Sequence, residues 1–440
     1  MRLFNGCFLL WLTAAAAAAA EPPVKSDLLI YDRPNWNSYT YNYPILGGVQ
    51  IRDHDEIIIR FDTANAAKIN DDFFVEEYQQ VVLSSKDMGK TWTPITPNWP
   101  YNIPLELSDG TQVDIVYAMR LQTRQQQKQR LIQLGIGHIW NDRCHMSWDF
   151  WPQSRAAKMK QEGFQVWELE VGSTPDDIYL PEGTVATHAP VSFVSRISRD
   201  GGTTWDNTRV FDGTPYGHLG CMFAGATVLP DDTILVPAYG SLKSSQEKKT
   251  QVFVLRSTDH GQSFTPHFIP GEDYNETTIV PHPSGVTVAL IRSKAGPVFV
   301  SRSKDQGKTW SQPKNTGFEG SPLHALCLQS GLIVCTYADR WNSGSFRATV
   351  SADGGRTWQH ERTKVLHGGF PKPRTRLSGP GQWLGGTGSA QLSDGRVFVF
   401  YSVPDVRKLK ETEPGKTTKG HSYVAGNIVT EAFLLGDKSN

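Results

Sequence analysis

The chain of 440 residues has no excess of charge of either sign, since Lys+Arg and Asp+Glu both number 44. A nucleic-acid partner ordinarily calls for a basic surplus, so composition argues against one. Cysteine is scarce, at 5, and Cys7 lies in the opening segment. The other four, Cys144, Cys221, Cys327 and Cys335, show no CxxC spacing, which excludes the common zinc frameworks. One or two disulfides and buried thiols both fit them. No nucleotide-binding motif or metal-ligand cluster is visible, so no cofactor is implied. Beyond residue 20 no apolar run is long enough to cross a bilayer.

The opening segment, residues 1–20, reads as a signal peptide. Arg2 is its charged start, Phe8 to Leu12 its apolar run, and Ala18-Ala19-Ala20 its small-residue end before Glu21. A membrane anchor is the alternative, but the Leu/Phe run is short. The expectation is an exported protein, secreted or periplasmic, with no membrane attachment after cleavage.

What is abundant is turn and aromatic chemistry, with Gly 40, Pro 27 and Trp 13. These suit many short strands joined by hairpins. One unit recurs: Ser85-Lys86-Asp87-Met88-Gly89-Lys90-Thr91-Trp92. It returns around Asp200 with Trp205, Asp259 with Phe264, Asp305 with Trp310, and Asp353 with Trp358. The Asp can accept bonds from backbone N–H groups of its own turn, and the Gly supplies a left-handed backbone position. The aromatic opens the next strand and packs between sheets. These units are read as scaffold.

The Asp-to-Asp spacings are 113, 59, 46 and 48 residues. Roughly 45–50 residues make one four-stranded propeller blade. A second series of turns stands at Asp53-His54-Asp55, Ser108-Asp109-Gly110, Pro230-Asp231-Asp232, Pro283-Ser284-Gly285, Gln329-Ser330-Gly331 and Ser393-Asp394-Gly395. Each joins two apolar runs, as a hairpin does. Six such turns predict an all-β, six-bladed β-propeller of four-stranded antiparallel blades over residues 21–440. The long first spacing then places an insertion in blade two at about 122–194; a seventh blade there is the alternative. The insertion carries Trp140, Trp148 and Trp151, either as a self-buried elaboration or as a rim presenting aromatic faces to sugar rings. Arg407 to Lys419 reads as a solvated loop of blade six. Leu28 to Tyr31 and Tyr423 to Leu435 are expected to pair and close the ring.

The box series resembles that of the sialidase (neuraminidase) superfamily. The resemblance in organisation covers roughly residues 30–435. It implies a site at the propeller axis where three Arg hold a substrate carboxylate, a geometry that the planar guanidinium favours. It also implies a Tyr nucleophile, a Glu that raises its reactivity, and an Asp acid/base. Tyr274-Asn275-Glu276-Thr277-Thr278, with a hairpin ending in Arg292, is similar to the family's Glu strand and paired Arg strand. Ser345-Phe346-Arg347 is similar to the strand with another axial Arg. Three departures stand beside these matches. Asn42, in Tyr41-Asn42-Tyr43-Pro44, occupies the place of the first Arg. The innermost strand of the last blade reads Gly385-Gly386-Thr387-Gly388-Ser389-Ala390, without a Tyr. For the acid/base, Asp62, Asp71 and Asp72 are all candidates.

Other polar residues fall near inner strands: Tyr43, His218, His324, Asp339 and Arg340. His218 is a candidate general base or a half-buried structural His. The leading expectation is a sialidase-like glycoside hydrolase acting on acidic glycans. Arg292, Arg347 and Arg340 hold the carboxylate, with Asn42 and Tyr43 beside it; Glu276, Asp71 or Asp72, and His218 carry the chemistry. Two rivals remain: a lyase or hydrolase of uronic-acid polysaccharides, and a non-catalytic glycan-binding propeller.

Overall fold

The computed structural model describes residues 24–32, 36–37, 48–65, 78–99, 102–122, 150–152, 166–167, 184–187, 192–212, 216–221, 225–242, 249–293, 295–340, 342–368, 384–404 and 422–436. They form a six-bladed β-propeller of antiparallel blades, with little helix. Blade one comprises Val49–Arg52, Glu56–Asn65, Tyr78–Ser85 and Thr93–Pro94. Blade two comprises Leu105–Glu106, Gln112–Gln122, Ser192–Ser198 and Asp206–Asp212. In blade three, Tyr216–Cys221 and Thr227–Val228 together serve as the first strand, followed by Ile234–Leu242, Gln251–Ser257 and Thr265–Phe268. Blade four is Tyr274–Pro281, Thr287–Ser293, Pro297–Ser303 and Lys314–Glu319. Blade five is Leu323–Cys327, Ile333–Asp339, Ser345–Ser351 and Lys364–His367.

Blade six is assembled from both ends of the chain. Thr387–Gln391, Val397–Pro404 and Ser422–Val429 are joined by the N-terminal strand Lys25–Tyr31, with Leu28 opposite Gly426. This closure removes a free sheet edge. It also explains five boxes for six blades. A box links the third strand of a blade to its fourth, and blade six takes its fourth from the other end of the chain. There the chain turns instead into the short helix Glu431–Leu435, capped by the Thr430 side chain, so the closing strand stops at Val429 rather than running to Leu435.

The strands alternate, and the two faces of each blade feed different seams. Ile57, Ile59 and Phe61 pack toward blade six, while Ile58 packs toward blade two. Each box aromatic fills the seam with the preceding blade: Trp205 between blades one and two, Phe264 between two and three, Trp310 between three and four, Trp358 between four and five.

The box chemistry is local and repeated. In the first box, Ser85 Oγ donates to Asp87 Oδ1 at 2.9 Å and accepts from Gly89 N at 2.8 Å. Asp87 also accepts from Thr91 N at 2.9 Å and from Thr91 Oγ1 at 2.6 Å. The same bonds recur at Asp200, Asp259, Asp305 and Asp353. They hold Asp87, Asp200 and Asp305 at about 2, below the ordinary carboxylate range. Glycine is required twice over at these turns. Gly307 has φ +81°, and a Cβ there would lie 2.8 Å from Leu235 Cδ2 of blade three.

The insertion begins after Gln122, where the second strand of blade two ends, and the chain returns at Ser192 beside that strand. Short strands Phe150–Pro152, Val166–Trp167 and Thr184–Thr187 extend the same sheet. Trp140 and Trp148 lie outside the described residues, as does the loop Arg407 to Lys419.

Candidate functional site

The boxes and the first-to-second-strand hairpins share one face of the propeller. The opposite face carries the starts of first strands, the ends of second strands and the starts of third strands. Glu276, Arg292, Asp339 and Arg347 occupy those positions in blades four and five. The strand faces bring them to one seam. Val288 and Leu290, which share a face with Arg292, pack between blades four and five. Cys335 and Tyr337, which share a face with Asp339, pack into the same seam from the other side. Arg347 stands directly opposite Tyr337 in the sheet and so projects the same way.

Glu276 accepts a hydrogen bond from Arg292 Nη1, so this pair is mutually committed. Glu276 is buried, and 25% of the Arg292 side chain remains exposed. The pairing needs the bulge between Tyr274 and Thr277, which lets the first strand of blade four present Glu276 beside Arg292.

Arg347 is held by one edge. Its Nε donates to Ser345 Oγ at 2.9 Å and to Ser343 Oγ at 3.1 Å, and lies 3.5 Å from Asp339 Oδ2. Its Nη1 and Nη2 make no hydrogen bond to any described residue, and 27% of the side chain is exposed. Among the described residues, then, the two-nitrogen edge of the guanidinium has no partner. That edge matches a carboxylate.

Arg340 differs. It is buried, and its Nε and Nη2 donate to Leu384 O at 2.9 and 2.7 Å, tying blade five to the entry of blade six. His324, on the innermost strand of blade five, has Nδ1 2.9 Å from Ser389 Oγ of blade six. Burial pushes its imidazole down to about 4, so it is neutral at pH 7.

At Gly388 an added Cβ would lie 2.4 Å from the Phe400 ring, so the innermost strand of blade six has no room for a side chain there. The tyrosine of the neighbouring strand, Tyr401, is buried. It donates to Asn427 Oδ1 at 2.6 Å and stacks on Phe346 at 4.4 Å. Burial raises its hydroxyl well above the usual range, and Tyr337 is raised for the same reason. Neither is an easily ionised nucleophile.

His218 lies on the first strand of blade three, its Cα opposite Ser241; its side chain is outside the described residues. Asn42, Tyr43, Asp71 and Asp72 also lie outside them, and of Asp62 only the backbone is described, opposite Gln80. Sequence reasoning did not assign Ser343 and Ser345 to the site. The signal was present in Asp339-Arg340-Trp341-Asn342-Ser343-Gly344-Ser345, an acid followed by the residue types of a side-chain-closed turn.

Among the described residues no His, Cys, Asp and Glu group has metal-binding geometry. Cys327 and Cys335 are free thiols, and burial raises Cys327 to about 11. No helix of the described residues is long and apolar enough to cross a membrane. A separate cleft of about 460 Å³ opens at the periphery between the outer strands of blades five and six, beside Lys25, His367 and Tyr423; none of the seam residues lines it.

Residues 178–363 match the BNR repeat-like domain family. No curated protein matches the chain. Among solved structures, a protein of unknown function from Dyadobacter fermentans is similar with TM-score 0.57 and 19% identity, over 92% of this chain and 99% of that one. A Hadza microbial sialidase is similar with TM-score 0.51 and 14% identity, over 91% of this chain and 66% of that one. A leech intramolecular trans-sialidase gives TM-score 0.50 and 14% identity, over 92% and 71%. Identities this low speak to the fold. The chain is a six-bladed β-propeller with the fold of the sialidases, and its residues 178–363 match the BNR repeat-like family.

Proposed function

We propose that this protein is a sialidase-like glycoside hydrolase acting on acidic glycans, with Arg347 as the principal carboxylate ligand. The observation that carries the reading is the state of Arg347: its Nε edge is tethered and its Nη edge has no partner among the described residues. Each charge-assisted bond to a ligand carboxylate there is worth roughly 1.5–3 kcal/mol. Arg292 extends the positive field while balanced by Glu276. Glu276 serves as a base or as the partner of a nucleophile, and Asp71 or Asp72 as acid/base. The mature protein, residues 21–440, is exported after loss of residues 1–20, and the blade-two insertion is part of the same domain.

A second reading, a non-catalytic glycan-binding propeller, draws support from Gly388 closed off by Phe400 and from the sealed Tyr401. The deciding assay presents the purified protein with an aryl α-sialoside and with uronic-acid oligosaccharides. Hydrolysis of the sialoside, depressed by Glu276→Gln with binding retained, is the expected result. Binding without turnover would favour the second reading. Turnover of uronides alone would move the enzyme to the uronic-acid class.

A further inference from the structure

The loop between the second and third strands of blade five is built around Asp339. Its Oδ1 accepts from Asn342 N at 3.0 Å and its Oδ2 from Ser343 Oγ at 2.7 Å. Gly344, with φ +59°, donates its N–H to Asp339 O at 2.9 Å and completes the turn. Ser343 and Ser345 are themselves hydrogen-bonded through their hydroxyls, and both accept from Arg347 Nε. Two ties fix this loop from outside. Arg340 bonds Leu384 O of blade six, and Asn342 Nδ2 donates to Glu319 Oε2 of blade four at 3.3 Å.

A long, rotamer-rich side chain such as Arg loses much freedom when it must hold one geometry for a ligand. Here that ordering is already present before any ligand arrives. Asp339 is 6% exposed and carries a charge beside a guanidinium, so its orientation is set by the loop and in turn sets the loop.

We propose that Asp339 is a positioning residue of the anion site: with Ser343 and Ser345 it fixes the Nε edge of Arg347 and aims both Nη groups toward the substrate carboxylate. The proposal rests on the reading of Arg347 given above and adds a second layer to it. Asp339 does not touch the substrate. It acts through Arg347, by pre-organisation and by holding the guanidinium plane.

The test is calorimetric titration of the full protein with N-acetylneuraminic acid, D-glucuronic acid and the methyl ester of each. Asp339→Asn keeps a turn-closing side chain, because Asn also accepts from Asn342 N, but it loses the charge and the acceptor for Ser343. Ser345→Ala removes one acceptor of Arg347 and leaves Asp339 intact. The expected result is about tenfold weaker binding of the acid by Asp339→Asn and about threefold by Ser345→Ala, with the neutral ester unaffected. In the turnover assay the loss should fall on KM, with kcat nearly unchanged. Acid binding by Asp339→Asn at the wild-type level, with Arg347→Ala defective, would overturn the positioning role and leave the anion site standing. Equal loss of acid and ester would make Asp339 merely a loop residue and overturn it as well. Should Asp339→Asn fail to fold, Ser345→Ala decides alone: unchanged acid binding refutes the proposal. Wild-type binding of neither acid, or full binding by Arg347→Ala, would overturn the functional reading itself.

Discussion

The seam between blades one and two and the seam between blades four and five both contain arginine and carboxylate, at different depths. In the first, Arg196 Nη2 donates to Asp114 Oδ2 at 2.6 Å, and Asn102 Nδ2 donates to Asp114 Oδ1 at 2.7 Å. Arg196 is 1% exposed and Asp114 not at all, and the fully buried Arg60 lies on the side of blade one that faces them. In the second seam the interior is apolar, from Val280 to Trp358, and the charges of Glu276, Arg292, Asp339 and Arg347 stand at its rim on the face away from the boxes. Sealed charges can serve only the fold, because a ligand cannot reach them. At the rim, the guanidinium groups of Arg292 and Arg347 stay about a quarter exposed, within reach of a ligand.

The comparison breaks first at Asp114. Asp114→Ala removes a buried counter-ion of the 1%-exposed Arg196, and should cost about 3–5 kcal/mol in denaturant unfolding. A loss below about 1 kcal/mol would mean that the seam is wetter or more adaptable than its burial implies. Next in size is His324, which lies in a third seam, between blades five and six. Its folded pKa of about 4 lies below the ordinary 6.5, so between these values the unfolded chain binds more protons. Stability should therefore be lost as pH falls from 6.5 to 4, by about 3 kcal/mol from this site. His324→Gln should flatten that window in unfolding curves recorded at both ends. Below it a second loss follows, as pH falls toward 2 and protonates Asp87, Asp200 and Asp305, whose folded values are depressed by hydrogen bonds. Smaller again is Gly307→Ala, which meets both positive φ and Leu235; about 1–3 kcal/mol is expected, and a neutral result would show that the blade three–four seam can yield.

The sequence carried the scaffold clearly because each blade repeats its own local chemistry. The Ser-Asp-Gly-Thr-Trp boxes are short-range objects, closed within a few residues, and their spacing reports the blade count. Ring closure was legible from apolar runs at both ends. The seams were not, because they join residues far apart: Asp114 and Arg196 stand 82 positions apart, and nothing local marks either as buried. In the candidate site, Glu276 and Arg292 were readable as a hairpin pair. Arg340 and Arg347 look alike as sequence, yet one is spent on Leu384 O and the other has no Nη partner among the described residues, a difference set by neighbours in space. Asn42, Tyr43, Asp71 and Asp72 fall outside the described residues.

The smallest expected effect on folding sits at the rim. Arg347→Ala removes a partly exposed side chain and should change stability by about 1 kcal/mol or less. Its effect on ligand should be large by comparison. The most direct measurement is the dissociation constant of N-acetylneuraminic acid for Arg347→Ala beside the wild type, with the unfolding midpoint of each protein recorded in the same buffer. The account predicts about 10- to 100-fold weaker binding with the midpoint nearly unmoved, the pattern of a lost bidentate carboxylate contact. Unchanged affinity, or a loss of affinity matched by a collapse in stability, would contradict it.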